Sequence, residues 1–327
     1  MNERVLVTGA GGFIGSHLVE LLVSEGCKVR AFVRYNSGNR WGMLEQLQAA
    51  VMNEVEVVTG DLRDGETVER AIAGCARVFH LGALIAIPYS YLSPDDVVAT
   101  NVLGTQNVLN ACRKNSSLER LIHTSTSEVY GTAQYTPIDE AHPLQAQSPY
   151  AASKIAADKV VESYHLSYGL PAVTIRPFNA FGPRQSARAI IPTILTQVLA
   201  GGSLKLGTLE TRRDFTFVQD TARAFWLASE AEGVEGLVLN VGTGKDVTIR
   251  ELLDIIFAQL DRCVDVQLDE NRVRPKGSEV EVLQCNADLA RRSLGWVPRQ
   301  TLEQGLELTA NWFVAHQNLF RAELYNV

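Results

Sequence analysis

The chain has 327 residues, 46% of them hydrophobic, with 30 basic against 37 acidic side chains and a net charge of −7. That length and apolar content support a large buried core with room for two lobes. The acidic balance gives no general attraction to nucleic acid or to an anionic membrane surface, and neither is expected as a partner.

No apolar run reaches the ~18 residues of a membrane-crossing helix, and the glycines from Gly9 to Gly12 interrupt the first apolar run. No leader or span is expected, and a cytoplasmic location is. The five cysteines (Cys27, Cys75, Cys112, Cys263, Cys285) are scattered, with no C-x-x-C pair. They read as buried free thiols in a reducing compartment. The histidines form no H-E-x-x-H motif, so no catalytic metal is expected.

Arg4-Val-Leu-Val-Thr8 is a short apolar run that stops at glycines, the mark of a buried strand. Residues 13–25 carry apolar side chains at helical spacing, and Gly26 is a natural stop. Strands follow at Lys28–Val33, Val55–Val58, Arg77–Leu81, Leu121–Ser125 and Ala172–Arg176, with helices predicted over 64–74, 95–114 and 150–168. Ser148-Pro149 supplies a cap and a first-turn residue for the last of these. This alternation predicts an α/β fold: a doubly wound, parallel Rossmann sheet with a smaller α/β C-terminal substrate lobe. After residue 180 come a Pro/Gly-rich loop, a helix over 190–201, a strand at Phe215–Val218 and a helix over 220–231. Residues 1–178 are therefore assigned to the dinucleotide-binding domain, with about 214–245 returning to it. Residues 179–213 and 246–327 are assigned to the substrate lobe.

Gly9, Gly12 and Gly15 lie between the first strand and the first helix. Glycines there permit a tight turn and close approach of the backbone to a pyrophosphate, which the helix N-terminus then meets with free N–H groups. A strand before and a helix after make this a specific signal for NAD or NADP. An NAD site commonly has an acid at the end of the second strand. Here that segment reads Val33-Arg34-Tyr35-Asn36-Ser37. Arg34 suits a 2′-phosphate, with Asn36 and Ser37 as further donors, so NADP is favoured over NAD. Asp61 and Leu62, after the third strand, are placed to meet adenine.

Tyr150 and Lys154 stand four apart and share one helix face. An ammonium beside a phenol favours the phenolate, giving a base for a sugar hydroxyl. Glu128, in Ser125-Thr-Ser-Glu-Val-Tyr-Gly131, offers a second acid/base of different strength. The pair oxidises an alcohol; the carboxylate implies a further step on the product.

The glycine triplet, Gly60-Asp-Leu62, Phe79-His-Leu-Gly-Ala83, Asn101-Val-Leu-Gly-Thr105, Tyr150-x-x-x-Lys154 and Arg176-Pro-Phe-Asn-Ala-Phe-Gly-Pro-Arg184 occur in one order over essentially the whole chain. The chain thereby resembles the extended short-chain dehydrogenases/reductases of the nucleotide-sugar epimerase/dehydratase group. The resemblance implies a nucleotide-diphosphate sugar as substrate and a tightly bound NAD(P) regenerated at each turnover. It also implies a homodimer built through a four-helix bundle. Phe13, Ile14, Leu81, Ala83 and Pro177 are carried over as further cofactor contacts. Thr126 is carried over as the residue assisting at the sugar hydroxyl. Arg213, Arg274, Arg184 and Asn179 are the candidates for the substrate diphosphate or sugar, because arginine forks suit phosphate oxygens.

Many 4,6-dehydratases of this group carry Thr-Asp-Glu where this chain has Thr126-Ser127-Glu128. Oxidation at C4 acidifies the C5 proton. Glu128 would remove that proton and, once protonated, assist loss of the C6 hydroxyl, with hydride returned to C6. Ser127 leaves the source of the leaving-group proton open. GDP-mannose dehydratases and UDP-glucuronate decarboxylases resemble the chain in having Thr-Ser-Glu. The segments Arg34–Gly42, Ala83–Tyr91, Gly131–Tyr135 and Gly182–Pro192 resemble the legionaminic-acid-pathway dehydratases, which act on GDP-N-acetylglucosamine. Ile85, with Ile87 and Pro88, would line a neutral pocket for an N-acetyl group, or simply pack in the core. The expected activity is thus a nucleotide-hexose 4,6-dehydration on GDP- or UDP-N-acetylglucosamine. The alternatives are a 4-epimerase, a UDP-glucuronate decarboxylase, or a dinucleotide-sensing protein without catalysis.

Overall fold

The computed structural model describes residues 3–321. Thirteen strands are described: β1 Arg4–Thr8, β2 Lys28–Arg34, β3 Val55–Gly60, β4 Arg77–His80, β5 Arg120–Thr124, β6 Ala172–Pro177, β7 Asn179–Phe181, β8 Leu204–Leu206, β9 Arg212–Phe217, β10 Val238–Val241, β11 Asp246–Thr248, β12 Val266–Leu268 and β13 Val282–Leu283. The helices are α1 Phe13–Ser24, α2 Ala49–Met52, α3 Gly65–Ile72, α4 Ile87–Leu92, α5 Pro94–Val98, α6 Gly104–Lys114, α7 Pro149–Tyr168, α8 Ile190–Ala200, α9 Val218–Glu230, α10 Ile249–Leu260, α11 Asp288–Leu294 and α12 Leu302–Ala315. None of the described helices is long and apolar enough to cross a membrane.

Seven strands form one sheet in the order β10-β6-β5-β4-β1-β2-β3, every neighbouring pair parallel. The α/β Rossmann arrangement read from the sequence is the one observed. Because β1 pairs with both β2 and β4, the chain reverses its winding there. The crevice at the carboxyl ends of these strands is where doubly wound sheets bind ligands.

Alternate side chains of each strand point to opposite faces. Val5 and Val7 join one core with Leu18 and Leu22 of α1 and Phe225 of α9. Leu6 joins the other, with Ile72 of α3, Val108 of α6 and Val161 of α7. A third core lies outside the large sheet: Phe181, Phe215 and Phe217 pack with Ile194 of α8, Leu252 of α10 and Phe313 of α12.

Two segments depart from the sequence-based partition. The return to the large sheet, expected over about 214–245, comprises α9 and β10; the strand ahead of them does not take part. β9 pairs instead with β7, β11 and β13 in a small sheet, because Phe215 and Phe217 face the third core. Residues 288–296, expected in the substrate lobe, send Ala290, Leu294 and Trp296 into the core against α1 and α9. Trp296 is 1% exposed, and its indole donates to the Asp220 carbonyl at 2.9 Å. The rest of the expected lobe ends in residues 322–327, which lie outside the described residues. Deleting a buried indole of this kind costs about 3–5 kcal/mol. Trp296→Ala is therefore expected to lower unfolding free energy in urea by that amount; a loss under about 1 kcal/mol would place Trp296 outside the main core.

Candidate active site

The glycine turn joins β1 to α1. Gly9 has φ +69°, and a Cβ there would stand 2.8 Å from the Gly82 nitrogen in the turn after β4. A Cβ on Gly15 would run into the Gly9 carbonyl oxygen, so only glycine lets the helix close onto the turn. Gly12 is the N-cap of α1 and has no side chain to satisfy the first N–H groups. These groups, with the positive end of the helix dipole, are left to meet an anion. The cradle fits a dinucleotide pyrophosphate. Phe13 and Ile14 open α1, and Leu81, Ala83 and Pro177 stand at or just beyond the carboxyl ends of β4 and β6, facing the same crevice edge of the sheet.

After β2 and β3 the structure divides the expected donors. Arg34 is exposed at the end of β2, and Ser37 is exposed in the loop that follows. Asn36 is committed to that loop: its amide donates to the Arg40 carbonyl at 2.7 Å and accepts from the Arg40 N–H at 3.0 Å. It shapes the loop and is not a free donor. The loop is anchored on the glycine turn, where Met43 N–H donates to the Gly11 carbonyl at 2.9 Å. Asp61 is gripped by Arg63, which holds its carboxyl below the usual range. Leu62 is buried, packed closely under Gly82 and Gly104.

The catalytic candidates converge between β5 and α7. Thr126 caps a short turn formed by residues 127–130, its hydroxyl accepting from the Glu128 N–H at 3.2 Å. Ser148 caps α7, its hydroxyl accepting from the Ala151 N–H at 3.1 Å, so the first turns of the helix are held firmly. Tyr150 and Lys154 are both buried on that helix.

The electrostatics differ from the simple pairing read from sequence. The Lys154 ammonium donates to the Thr124 carbonyl at 2.7 Å. Burial pushes the Tyr150 phenol above its ordinary range; the hydrogen bond with Thr126 opposes this, and the negative charges of Glu128 and Asp158 add to it. Burial also lowers Lys154 to about 8, against the pull of Asp158. Burial is thus the largest influence on both groups.

Asp158 had no role in the sequence reading. It follows Lys154 by the same four residues that separate Lys154 from Tyr150, so the three form one stripe on α7. Its carboxylate pairs with Arg176 at 2.9 Å and accepts from Ser125 at 2.7 Å, with His123 Nε2 at 3.2 Å. Burial opposes its ionisation, but the His123 hydrogen bond and the Arg176 and Lys154 charges prevail and hold it at about 2. Arg176 extends the network to Tyr130, whose hydroxyl donates to Asn240 at 2.7 Å.

Asn101 was also missed, although its motif was noted. It is 1% exposed in a π-helical turn, Ala99–Leu103, that links α5 to α6. Such turns recur at functional sites. Its amide accepts from the Leu84 N–H at 2.8 Å, and donates to the Leu84 carbonyl and the Ser153 hydroxyl, each at 2.9 Å. It thus ties the segment after β4 to the catalytic helix.

On the substrate side, Arg274 Nη1 lies 3.7 Å from Glu128 Oε1. Arg213 is 6% exposed; its guanidinium reaches the Arg212 carbonyl at 2.9 Å and Glu279 at 3.5 Å, and it feels the charges of Glu128 and Arg274. Asn179 opens β7 with a buried, unpartnered Oδ1. Ile85 is 57% exposed and so is not a core residue. Arg184 is placed elsewhere: its guanidinium binds His17 at 2.5 Å and Glu20 at 2.6 Å on α1. It braces the cofactor helix and does not join Arg213 and Arg274. Ser127 is buried. Among the described residues, no group of three or more metal-ligating side chains is assembled.

A family model described as GDP-mannose 4,6 dehydratase matches residues 6–309. The dTDP-glucose 4,6-dehydratase of Xanthomonas campestris pv. campestris is 32% identical, over 95% of this chain and 93% of the relative. The crystal structure of DesIV, a dTDP-glucose 4,6-dehydratase from Streptomyces venezuelae with NAD bound, is 30% identical with a TM-score of 0.89, covering 97% of this chain and 98% of that one. A UDP-N-acetylglucosamine 4-epimerase from Methanobrevibacter ruminantium, in complex with UDP-N-acetylmuramic acid, is 32% identical with a TM-score of 0.86, covering 96% of this chain and 99% of that one. With its glycine cradle, its Tyr150/Lys154 helix and Glu128 at the crevice, the chain belongs to the GDP-mannose 4,6 dehydratase family of nucleotide-sugar dehydratases and epimerases.

Proposed function

We propose that this protein is a nucleotide-sugar 4,6-dehydratase acting on GDP- or UDP-N-acetylglucosamine, the GDP sugar favoured. The observation that carries the reading is Glu128, a carboxylate beside the hydroxyls of Thr126 and Tyr150 and opposite Arg274. The glycine turn at Gly9, Gly12 and Gly15 would hold NAD(P)+, which would supply reversible hydride chemistry for C4 and C6. Tyr150, as the phenolate, takes the proton of the C4 hydroxyl and ends the step neutral, with Thr126 bonded to its oxygen so that proton and hydroxyl are aligned. The Lys154 ammonium stabilises that phenolate before the transfer. Glu128 takes the C5 proton, made acidic by the new C4 carbonyl. Ser127 has no acidic proton to give, so Glu128 returns the proton it took to the departing C6 hydroxyl, and water leaves.

NADP is the favoured dinucleotide, on the strength of exposed Arg34 at the end of β2 and no acid beside it in Val33–Ser37. A homodimer is part of the same reading. Leu92, Val98 and Leu103 on the 87–114 helical stretch, and Leu166 and Tyr168 at the end of α7, are exposed apolar side chains on the helices that would form the bundle. A cytoplasmic setting accords with five free cysteines, four of them buried.

A 4-epimerase is the second reading. It is favoured by the epimerase relative of similar identity and by Ser127 standing where many dehydratases carry Asp. Decarboxylation is less well supported, because β9 reads Arg212-Arg213-Asp214-Phe215 and not the Arg-Ser form.

Tyr150→Phe is expected to lower cofactor reduction by substrate about 10²- to 10⁴-fold, the usual worth of a positioned base. Glu128→Gln should leave that reduction intact, read as dinucleotide absorbance in a single turnover, while abolishing release of the 6-deoxy product; elimination at the normal rate would remove Glu128 from the mechanism. Arg34→Ala should weaken NADP binding at least tenfold while sparing NAD, and an unchanged ratio of the two affinities would refute the NADP preference.

A further inference from the structure

Four charged groups meet at the mouth of the site with fewer hydrogen bonds than their chemistry allows. A guanidinium carries five N–H donors in a rigid fork. Arg274 Nη1 is buried, with no hydrogen-bond partner among the described residues, and its approach to Glu128 at 3.7 Å is a charge contact too long for a hydrogen bond. Arg213 behind it makes one good bond, to the Arg212 carbonyl at 2.9 Å, and long approaches to Glu281 at 3.4 Å and Glu279 at 3.5 Å. Burial lowers the Arg213 pKa; Glu128 and Glu279 oppose that effect and Arg274 adds to it. The two arginines therefore repel one another and share one catalytic carboxylate loosely. Such a pair is poised for a better anion, one with several oxygens for bidentate bonding.

Arg274 lies between two short 3-10 turns, Glu270–Arg272 and Lys276–Ser278. Residues 270–281 cross from the small lobe to the catalytic elements. They are held by Tyr91 and the Gln147 carbonyl, each 2.5 Å from the Ser278 hydroxyl, and by the Gln147 amide donating to the Gly277 carbonyl at 3.2 Å. These clasps fix the far end of the segment and leave the Arg274 side chain half-exposed over Glu128.

We propose that Arg274 is an exchangeable counter-ion of Glu128: without substrate it pairs with the carboxylate, and the diphosphate of an arriving nucleotide sugar draws it away. The inference rests on Glu128 being the acid/base of the proposed reaction. Losing the cation frees the Glu128 carboxylate to face the C5 proton. The proton taken from C5 goes to the C6 oxygen and water departs; hydride then fills C6 while a solvent-derived proton, balancing the one lost from the C4 hydroxyl, returns to C5. The carboxylate is thus released only when the diphosphate end of the substrate is seated. The charged groups around Glu128 on every packed element enter this balance: Arg274 and Arg213, Tyr150 on α7, and Glu279 through Arg213.

The test uses inorganic pyrophosphate as the probe and full-length protein loaded with NAD(P)+, by titration calorimetry. Glu128→Gln is expected to bind pyrophosphate about tenfold tighter, because Arg274 no longer has to leave a carboxylate. In an Arg274→Gln background the same Glu128→Gln change should give no gain, whereas a simple removal of like charge would give it in both backgrounds. A gain that persists without Arg274, or no gain at all, would overturn the exchange. None of these readouts requires turnover, so the exchange can fail while Glu128 still performs elimination. Conversely, an inert Glu128 in the elimination assay would remove the dehydratase reading and leave the pyrophosphate result intact.

Discussion

One buried ion pair positions everything else in the site. Asp158 and Arg176, both 5% exposed or less, sit beneath the first turns of α7 and join it to β5 and β6. A carboxylate withdrawn from water in this way is tolerable only with its charge and lone pairs matched. His123, Ser125 and Arg176 match them. The negative charge so fixed is also what keeps Lys154 from losing its proton entirely in a dry environment. Removing Asp158 would strand two buried cations, a change that typically costs about 3–5 kcal/mol. The catalytic helix is thus anchored through the same charge that sets the state of its lysine.

Most of the fold was legible because the large sheet is buried on both faces. Short apolar runs marked the first six strands nearly to the residue, and the helices between them followed from 3.6-residue spacing. What failed had local causes. β10 has only four residues, too short for its period to be read, and its pairing with β6 is a tertiary fact. β9 looks like any buried strand; that it joins the small sheet depends on the aromatic faces of Phe215 and Phe217 meeting Phe181, 34 or more residues away in sequence. Trp296 follows a helix end and resembles lobe structure until its contact with Asp220 is seen.

The site shows the same division. The grouping of Tyr150, Lys154, Thr126 and Glu128 was legible from residue type and helical spacing, and the structure brings them together. The effect of burial, which raises the Tyr150 phenol and lowers the Lys154 ammonium, was not. Asp158 was legible in principle from its spacing after Lys154. Arg184 and Asn36 show the reverse error: residues of the right type whose donors are already committed, one to α1 and one to its own loop. Dehydratases and epimerases share the cradle, the Tyr/Lys helix and the first hydride step, so the fold cannot separate them. The difference comes down to what happens at C5 once C4 is a ketone, the step proposed for Glu128.

Incubating the wild-type protein in deuterium oxide with GDP- and UDP-N-acetylglucosamine, and analysing products by mass spectrometry and NMR, addresses that step directly. Dehydration predicts a 4-keto-6-deoxy sugar carrying solvent deuterium at C5. A product that keeps its C6 hydroxyl, is inverted at C4 and is unlabelled at C5 would contradict it.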